Sequence, residues 1–410
     1  MTDHTAPRVT ALRRWIILGC ALIAALTGTT ALSGFAYVIP ALHDDGMSLT
    51  TAASLAAVPT IGITVALLAW GVALDRFGER RVLLVSLAVT LAGNAGAVAA
   101  VAADAPLTAL AAALLIGGVG AGAANGASGR IVVGWFPAEL RGTAMGIRQM
   151  AQPLGIAVCA LTMPVLADRV SVAAAMAVPA LVTVVGLIAV LAGIVDPEVP
   201  AAHRGAERAP NPYRGDGYLW RIHAFSVLLV IGQSLIWTFV PAWLMVAHHW
   251  SAISAGLLVT ATQVLGALGR IVAGRLSDVW RSRMKPVRVI AAVAAVSLAL
   301  LALTDWLGTP VAAAIMVLAS VATVADNGLA FTAIAETAGP SWSGRALGVQ
   351  NTAQFVTIAV STPLLGRLIT VTGYPAAFAV VALAPVLALP LIPRDRPWQG
   401  REQTVVEPSR

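Results

Sequence analysis

Four ionisable side chains, Arg130, Arg148, Arg270 and Asp326, each sit inside a long apolar run. A charge at the centre of such a run costs roughly 2.5–3.5 kcal/mol on membrane-insertion scales, which makes each of them a functional candidate by default. A guanidinium is a rigid fork of donors that fits a carboxylate. A buried carboxyl can take up and release a proton. Arg270 leads the set. It lies four residues before Gly274 and eight before Asp278, more than two helical turns from that helix end. Two expectations follow for it: it faces a cavity as an anion-binding group, or it pairs with Asp326 or with backbone carbonyls. Arg148 opens the patch Arg148-Gln149-x-x-Gln152, whose first and last members share a helix face. Gln350, Asn351 and Gln354 occupy corresponding places later in the chain, and Gln233 and Gln263 are further amides within apolar runs. Such amides either line a polar path or tie helices together at about 0.6 kcal/mol per contact. Arg130 lies nearer a helix end, where its stem can snorkel, and reads as structural or gating.

The elements that position these groups follow from composition. Of 410 residues 58% are apolar and 11% charged, and the mean hydropathy is +0.84. A soluble chain carries about a quarter charged residues, so lipid must solvate most of this surface. The net charge of +7 sits in short clusters between apolar runs. That is the placement of a membrane protein and argues against nucleic acid. Cys20 and Cys159 fall in different apolar runs, with no disulfide framework or metal-ligand spacing. The run that follows Arg8, Arg13 and Arg14 is longer than a signal-peptide core and reads as a retained first span.

Runs of roughly 20 apolar residues predict about twelve helices, at 15–39, 50–74, 82–103, 107–134, 142–166, 171–195, 222–246, 252–274, 288–304, 309–335, 344–368 and 375–392. The expected organisation is a six-helix bundle over 1–195, a linker over 196–221, a second bundle over 222–393 and a tail over 394–410. With the N-terminus in the cytoplasm, the inner segments hold Arg76, Arg80, Arg81, Arg141, Arg204, Arg208, Arg283 and Arg345 among others, while the outer loops hold only Arg169 and Arg367. Both termini are therefore expected inside. One Lys against 25 Arg is the usage of a GC-rich bacterial genome, which points to the bacterial inner (cytoplasmic) membrane. Trp237, Trp243, Trp250 and Trp306 read as outer-half or interface anchors.

The chain repeats itself. Gly71 and Asp75 recur as Gly274 and Asp278, 203 residues later, and Asn125-Gly126 recurs as Asn327-Gly328. In the same register Gly142, Gly146 and Gln152 meet Gly344, Gly348 and Gln354. Parallel six-helix repeats are a transporter architecture with the substrate site near mid-membrane at the repeat interface.

The loop Gly71-Val-Ala-Leu-Asp75-Arg76-Phe-Gly78-Glu-Arg80-Arg81 resembles the signature of the major facilitator superfamily, and the resemblance covers nearly the whole chain. It implies two pseudo-symmetric six-helix bundles and a conformational clamp. Gly71 permits close helix approach. Asp75 faces the positive N-terminal end of another helix, in the family the eleventh, which here begins near Gly344. Arg76 and the pair Arg80 and Arg81 tether the loop, or serve simply as positive-inside charge. The second copy keeps Gly274 and Asp278 but has Val279 where the Arg would stand. Gly269-Arg270 through Asp278 resembles the eighth helix of the organic-anion branches, such as monocarboxylate and oxalate/formate carriers. There this arginine binds the anionic group. The connection from Trp135 to Gly142 resembles that of anion and sugar-phosphate carriers.

The expected function is secondary transport of a small organic anion, a carboxylate, by alternating access, with Asp326 either the proton-coupling group of a symporter or a structural ion-pair partner. The alternative is a drug or metabolite exporter working as a proton antiporter. Against it, Leu114 stands where those antiporters carry an arginine; for it, Gln152-Pro153-Leu154-Gly155 resembles their fifth-helix element. A membrane receptor would need a soluble signalling domain, and an intramembrane enzyme a catalytic constellation that the six histidines do not form. No ATP-binding loop occurs. The expected partners are a small-molecule substrate and the lipid bilayer, with no nucleic acid, no cofactor, no metal and a monomeric state.

Overall fold

A computed structural model describes residues 10–196 and 210–397. Arg8, Arg204, Arg208, His4, His203 and the end of the tail lie outside the described residues. Those described are helical, without strands. In lipid every backbone donor and acceptor needs a partner within the segment, which a helix provides. The helices are α1 (Ala11–Ser33), α2 (Ile39–Asp44), α3 (Leu49–Phe77), α4 (Glu79–Ala102), α5 (Leu107–Trp135), α6 (Ala138–Arg148), α7 (Ala151–Arg169), α8 (Val172–Gly193), α9 (Tyr218–Ala242), α10 (Ala252–Val279), α11 (Met284–Trp306), α12 (Val311–Ala325), α13 (Asn327–Ala338) and α14 (Ser343–Ala388). Side chains of Thr10, Ser48, Ser171 and Ser251 accept from amides three residues on and start α1, α3, α8 and α10.

Among the described residues, eleven helical stretches are long and apolar enough to cross a bilayer. The last, Ser343–Leu391, is two spans joined end to end at Gly373, whose φ of 80° is non-helical. This restores the expected twelve. The fifth span is interrupted between α6 and α7, and the tenth at Asp326 between α12 and α13. Several spans run past their predicted ends, as with Ala138–Arg169 against 142–166, because their termini carry arginines that a hydropathy count excludes.

The contacts divide the chain into two compact units. One comprises the residues up to Phe136 and those from Leu154 to the linker; the other comprises Pro137–Pro153 and everything after the linker. The segment Pro137–Pro153 thus keeps company with the later helices, although it precedes the predicted linker.

In the first unit α5 is the central helix, packed on α1, α3 and α4. Its small residues allow this. A Cβ on Gly118 would stand 2.1 Å from the Pro59 carbonyl, and one on Gly120 2.4 Å from the Thr90 amide nitrogen. Apolar clusters around Phe35 and Met163 and around Leu83 and Leu87 fill the two ends. Cys20 and Cys159 are free thiols.

In the second unit the core gathers around Trp243, Leu298 and Phe378. Trp243 is 0% exposed and so is no interface anchor. Its Nε1 donates to Asp305 Oδ1 at 3.0 Å, and its ring packs edge-on against His248 and Phe378. A buried indole that finds an acceptor belongs in a core.

Candidate functional site

The site begins with two helices that touch through backbone. A Cβ on Gly142 of α6 would lie 2.4 Å from the Gly274 carbonyl of α10, and one on Gly274 2.1 Å from the Gly142 carbonyl. One turn further, a Cβ on Gly146 would lie 2.6 Å from the Arg270 carbonyl. This is small-residue packing of the kind that joins helices in lipid. It fixes the backbone of Arg270 against α6.

Arg270 is 3% exposed. Its Nη1 donates to the Gln149 carbonyl at 3.2 Å and its Nε to the Val324 carbonyl at 3.3 Å. Its Nη2 reaches Gln152 Oε1 at 3.5 Å, the limit of a hydrogen bond. The first contact has a covalent cause. In a continuous helix the Gln149 carbonyl would accept from residue 153, and Pro153 has no N–H. Val324 stands two residues before the interruption at Asp326. One guanidinium therefore joins the Pro153 break in the fifth span to the tenth span just before Asp326, where α12 passes into α13 with helical dihedrals (φ −76°, ψ −26°). No carboxylate lies within ion-pair distance of Arg270 among the described residues. Of the two expectations, carbonyl pairing is present and an ion pair with Asp326 is not.

Beside Arg270 lies a narrow crevice, too tight in this structure to admit a water molecule, lined by Trp237, Thr262, Gln263, Gly266, Ser320 and Val324. Asp326 is 2% exposed, its carbonyl accepting from the amides of Leu329 and Ala330 at the start of α13. Next to it Asn327 joins two predicted residues. Asn327 Nδ2 donates to Gln233 Oε1 and Gln354 Nε2 donates to Asn327 Oδ1, both at 2.9 Å. A chain of three amides thus links α9, α13 and α14. Asn327 was legible in the sequence only as one half of a repeat match, yet an amide inside a span was itself the signal. The predicted Asn351 turns back to the Leu347 carbonyl of its own helix at 2.8 Å. Arg148 is buried with its guanidinium 5.7 Å from the Phe331 ring centre. Arg270, Gln152 and Gln263 are therefore together, Gln233 and Gln354 meet through Asn327, and Asn351 joins neither group.

Each unit also carries a charge cluster at its arginine-rich end. In the first, Arg130 donates to Asp75 at 2.5 Å and to Glu79 at 2.7 Å. Gly78 turns the chain at φ 82°, Arg80 tethers the loop to the Asp196 carboxylate and the Leu191 carbonyl, Arg76 lies against Phe77, and Arg81 is exposed. Gly71 is buried. In the second, Asp278 accepts from the amides of Gly142 and Thr143 at 2.9 and 2.7 Å and from Thr143 Oγ1 at 2.8 Å. This is the helix-terminal geometry expected for Asp75, seen here for its repeat counterpart. Arg283 bridges Asp278 and Glu336, and Arg141 also reaches Glu336. Burial works against the charge of Arg283, and Glu336 with Asp278 outweighs it, so its pKa stands above the ordinary arginine value.

The polarity of the two clusters is reversed. In the first a cation of the fourth span, Arg130, meets Asp75 and Glu79 at the facing ends of α3 and α4; in the second an acid of the tenth span, Glu336, meets Arg283, which also holds Asp278 at the end of α10. Arg130→Ala would leave Asp75 and Glu79 buried without this cation. The expected destabilisation is about 3–5 kcal/mol, read as a lower unfolding temperature in detergent; an unchanged temperature would show that the triad is not structural.

Long broken spans, small-residue helix contacts, an internal repeat and a guanidinium at a helix break together define a polytopic transporter fold. The sequence profile of the Major Facilitator Superfamily matches residues 17–362, and the chain belongs to that superfamily. It is a membrane transporter rather than an enzyme. A protein of Mycobacterium tuberculosis (strain H37Rv), described as an uncharacterized MFS-type transporter, is 46% identical over 382 residues, covering 93% of this chain and 85% of its own. Among solved structures, the proton:xylose symporter XylE superposes with a TM-score of 0.77 at 16% identity, covering 94% of this chain and 97% of its own. The human organic anion transporter MFSD10 superposes at 0.72 and 18% identity, covering 93% and 99%.

Proposed function

We propose that this chain is a secondary carrier that moves a small organic anion, a carboxylate, by alternating access in symport with a proton. Proton:sugar symport and organic anion transport both occur on this fold, so the substrate must be argued from the site. One observation carries the reading: Arg270 is a buried guanidinium hydrogen-bonded only to neutral groups, with Asp326 near enough to interact electrostatically but not within ion-pair distance. A buried cation is stable when an anion reaches it. Three of its five N–H groups are engaged, and the remainder can meet a carboxylate once the narrow crevice beside it opens in the transport cycle. Gln263 and Gln152 flank that position, and Arg148 adds positive potential from α6. Asp326 is the proton carrier, and the chain of Gln233, Asn327 and Gln354 beside it orients the break on which it sits. Gly274 with Asp278, and Gly71 with Asp75, Arg76, Gly78, Arg80 and Arg81, are the two clamps. The protein works as a monomer in the cytoplasmic membrane with both termini inside, a placement supported by the arginine bias.

The test is uptake of a panel of labelled carboxylates into proteoliposomes, with and without an imposed proton gradient. Gradient-dependent accumulation of at least one carboxylate is expected. In Asp326→Asn, accumulation should fall about tenfold or more while carboxylate exchange across the membrane persists. Exchange lost together with accumulation removes the proton role from Asp326. Transport confined to cationic or neutral compounds removes the anion reading and leaves the exporter.

A further inference from the structure

A second cavity, remote in kind from the Arg270 crevice, lies at the arginine-rich end of the second unit. It is an open pocket of about 500 Å³ between the starts of α9 and α11 and the segment that follows α14. Its charged lining is Arg221, Arg288, Arg394, Arg396, Asp216 and Asp395. Both aspartates are already committed. Asp395 accepts from Ser282 Oγ at 2.6 Å and from the Met284 amide at 2.9 Å, which closes the start of α11. Asp216 takes both contacts of Arg396 Nη2, at 2.9 and 3.1 Å, and accepts from the Tyr218 amide at 3.2 Å. The Tyr218 amide and Arg396 hold its carboxyl below the usual carboxylate range, so it remains an anion at neutral pH.

The other three arginines have no carboxylate partner among the described residues. Arg221 is anchored through Nε and Nη2 to the carbonyls of Leu391 and Pro390, each at 3.0 Å. Arg288 is anchored through Nη2 to the carbonyls of Ile392 and Pro393, at 3.3 and 2.7 Å. In both, Nη1 keeps its two donors. Arg394 makes no hydrogen bond among the described residues. Neutral carbonyls thus set two guanidinium groups in place with no ion-pair partner among the described residues, and a third charge follows within a few residues. The cavity also sits at an interface. Trp220, beside Arg221, is 56% exposed, and Val289, beside Arg288, is 48% exposed; an exposed Trp at the end of a span marks headgroup depth.

We propose that this cavity binds a phosphate-bearing anion through Arg221, Arg288 and Arg394. Several cations converging on one space suit a group with several charged oxygens, and the volume admits more than a bare carboxylate. A phosphodiester lipid headgroup and free phosphate share this chemistry. Basic pockets between span ends are where anionic headgroups bind. The site is independent of the transport reading at Arg270.

The experiment uses the full chain in detergent, with thermal unfolding and native mass spectrometry as readouts. Phosphatidylglycerol, phosphatidylcholine and inorganic phosphate are titrated separately. Phosphatidylglycerol is expected to raise the unfolding temperature and to remain as a one-to-one adduct, while phosphatidylcholine does neither. Arg394→Gln, which removes no structural hydrogen bond, should weaken phosphatidylglycerol binding about tenfold and leave the lipid-free unfolding temperature unchanged. The double variant Arg221→Gln/Arg288→Gln should abolish the adduct. Equal stabilisation by inorganic phosphate alone keeps the site and assigns it to the free anion. The proposal is overturned if phosphatidylcholine matches phosphatidylglycerol, or if both variants bind phosphatidylglycerol as the parent chain does.

Discussion

Arg270→Ala is expected to reduce carboxylate uptake by about a hundredfold or more, because it removes both the cation and the bridge that the cation forms. The two effects can be separated. Losing the guanidinium leaves the carbonyls of Gln149 and Val324 without this donor inside the membrane, at about 1–3 kcal/mol for each group left unsatisfied. Losing the charge removes the group that would hold the anion. Pro153→Ala distinguishes them. It returns an N–H to position 153, so the Gln149 carbonyl can accept from its own helix. The double variant Pro153→Ala/Arg270→Ala should therefore recover part of the lost unfolding temperature and none of the lost uptake. Arg270→Lys keeps the charge but has no fork with which to reach two carbonyls and a substrate; it should fold and transport with a raised KM. Wild-type uptake by a folded Arg270→Ala would move the anion site elsewhere.

Gly274→Leu should be nearly as severe. Extra methylenes in a side-chain core cost about 1–3 kcal/mol, since neighbours can shift. Here the neighbour is the Gly142 backbone at 2.1 Å from the new Cβ, so α6 itself must move. Asp278 would then lose its contacts with the Gly142 and Thr143 amides, and the backbone of Arg270 would lose its support at Gly146. Near-complete loss of uptake and a lower unfolding temperature are expected, with the same result for Gly142→Leu. Gly256→Ala, on the same α10 with nothing within 4 Å, is the control and should be silent. A freely transporting Gly274→Leu would mean that the two helices need not touch during the cycle.

What could be read from the sequence depended on range. The spans followed from runs of apolar residues, the repeat from paired Gly-Asp and Asn-Gly steps, and the candidacy of Arg270 from a charge out of place. These signals are local or copied. The partners of Arg270 are neither, although Pro153 announced a carbonyl that something else would have to satisfy. Helix-amide contacts were expected at Asp75, and its repeat counterpart Asp278 makes such contacts within the second unit. The reversed polarity of the two charge clusters was hidden because Arg130 and Glu336 have no charged counterparts in the other half. The burial of Trp243 was not legible because its acceptor, Asp305, lies 62 residues away. The membership of Pro137–Pro153 in the second unit was invisible for the same reason, since periodicity reports which face is apolar and not which helix covers it.

That last feature bears on how the protein is made. The first unit's cluster of Asp75, Glu79 and Arg130 is complete once the ribosome has passed residue 130. The segment Pro137–Pro153 has to wait. Asp278 is synthesised 136 residues after Gly142, and Glu336 195 residues after Arg141. At ~5–20 residues per second that interval is about 10–40 s for Glu336. Throughout it a half-span bearing Glu139, Arg141, Thr143, Arg148 and Gln149 has emerged before any of the helices that will cover it. The insertion machinery must shelter this stretch, and a chain halted before α10 is complete should present Pro137–Pro153 as its first point of attack by quality-control proteases.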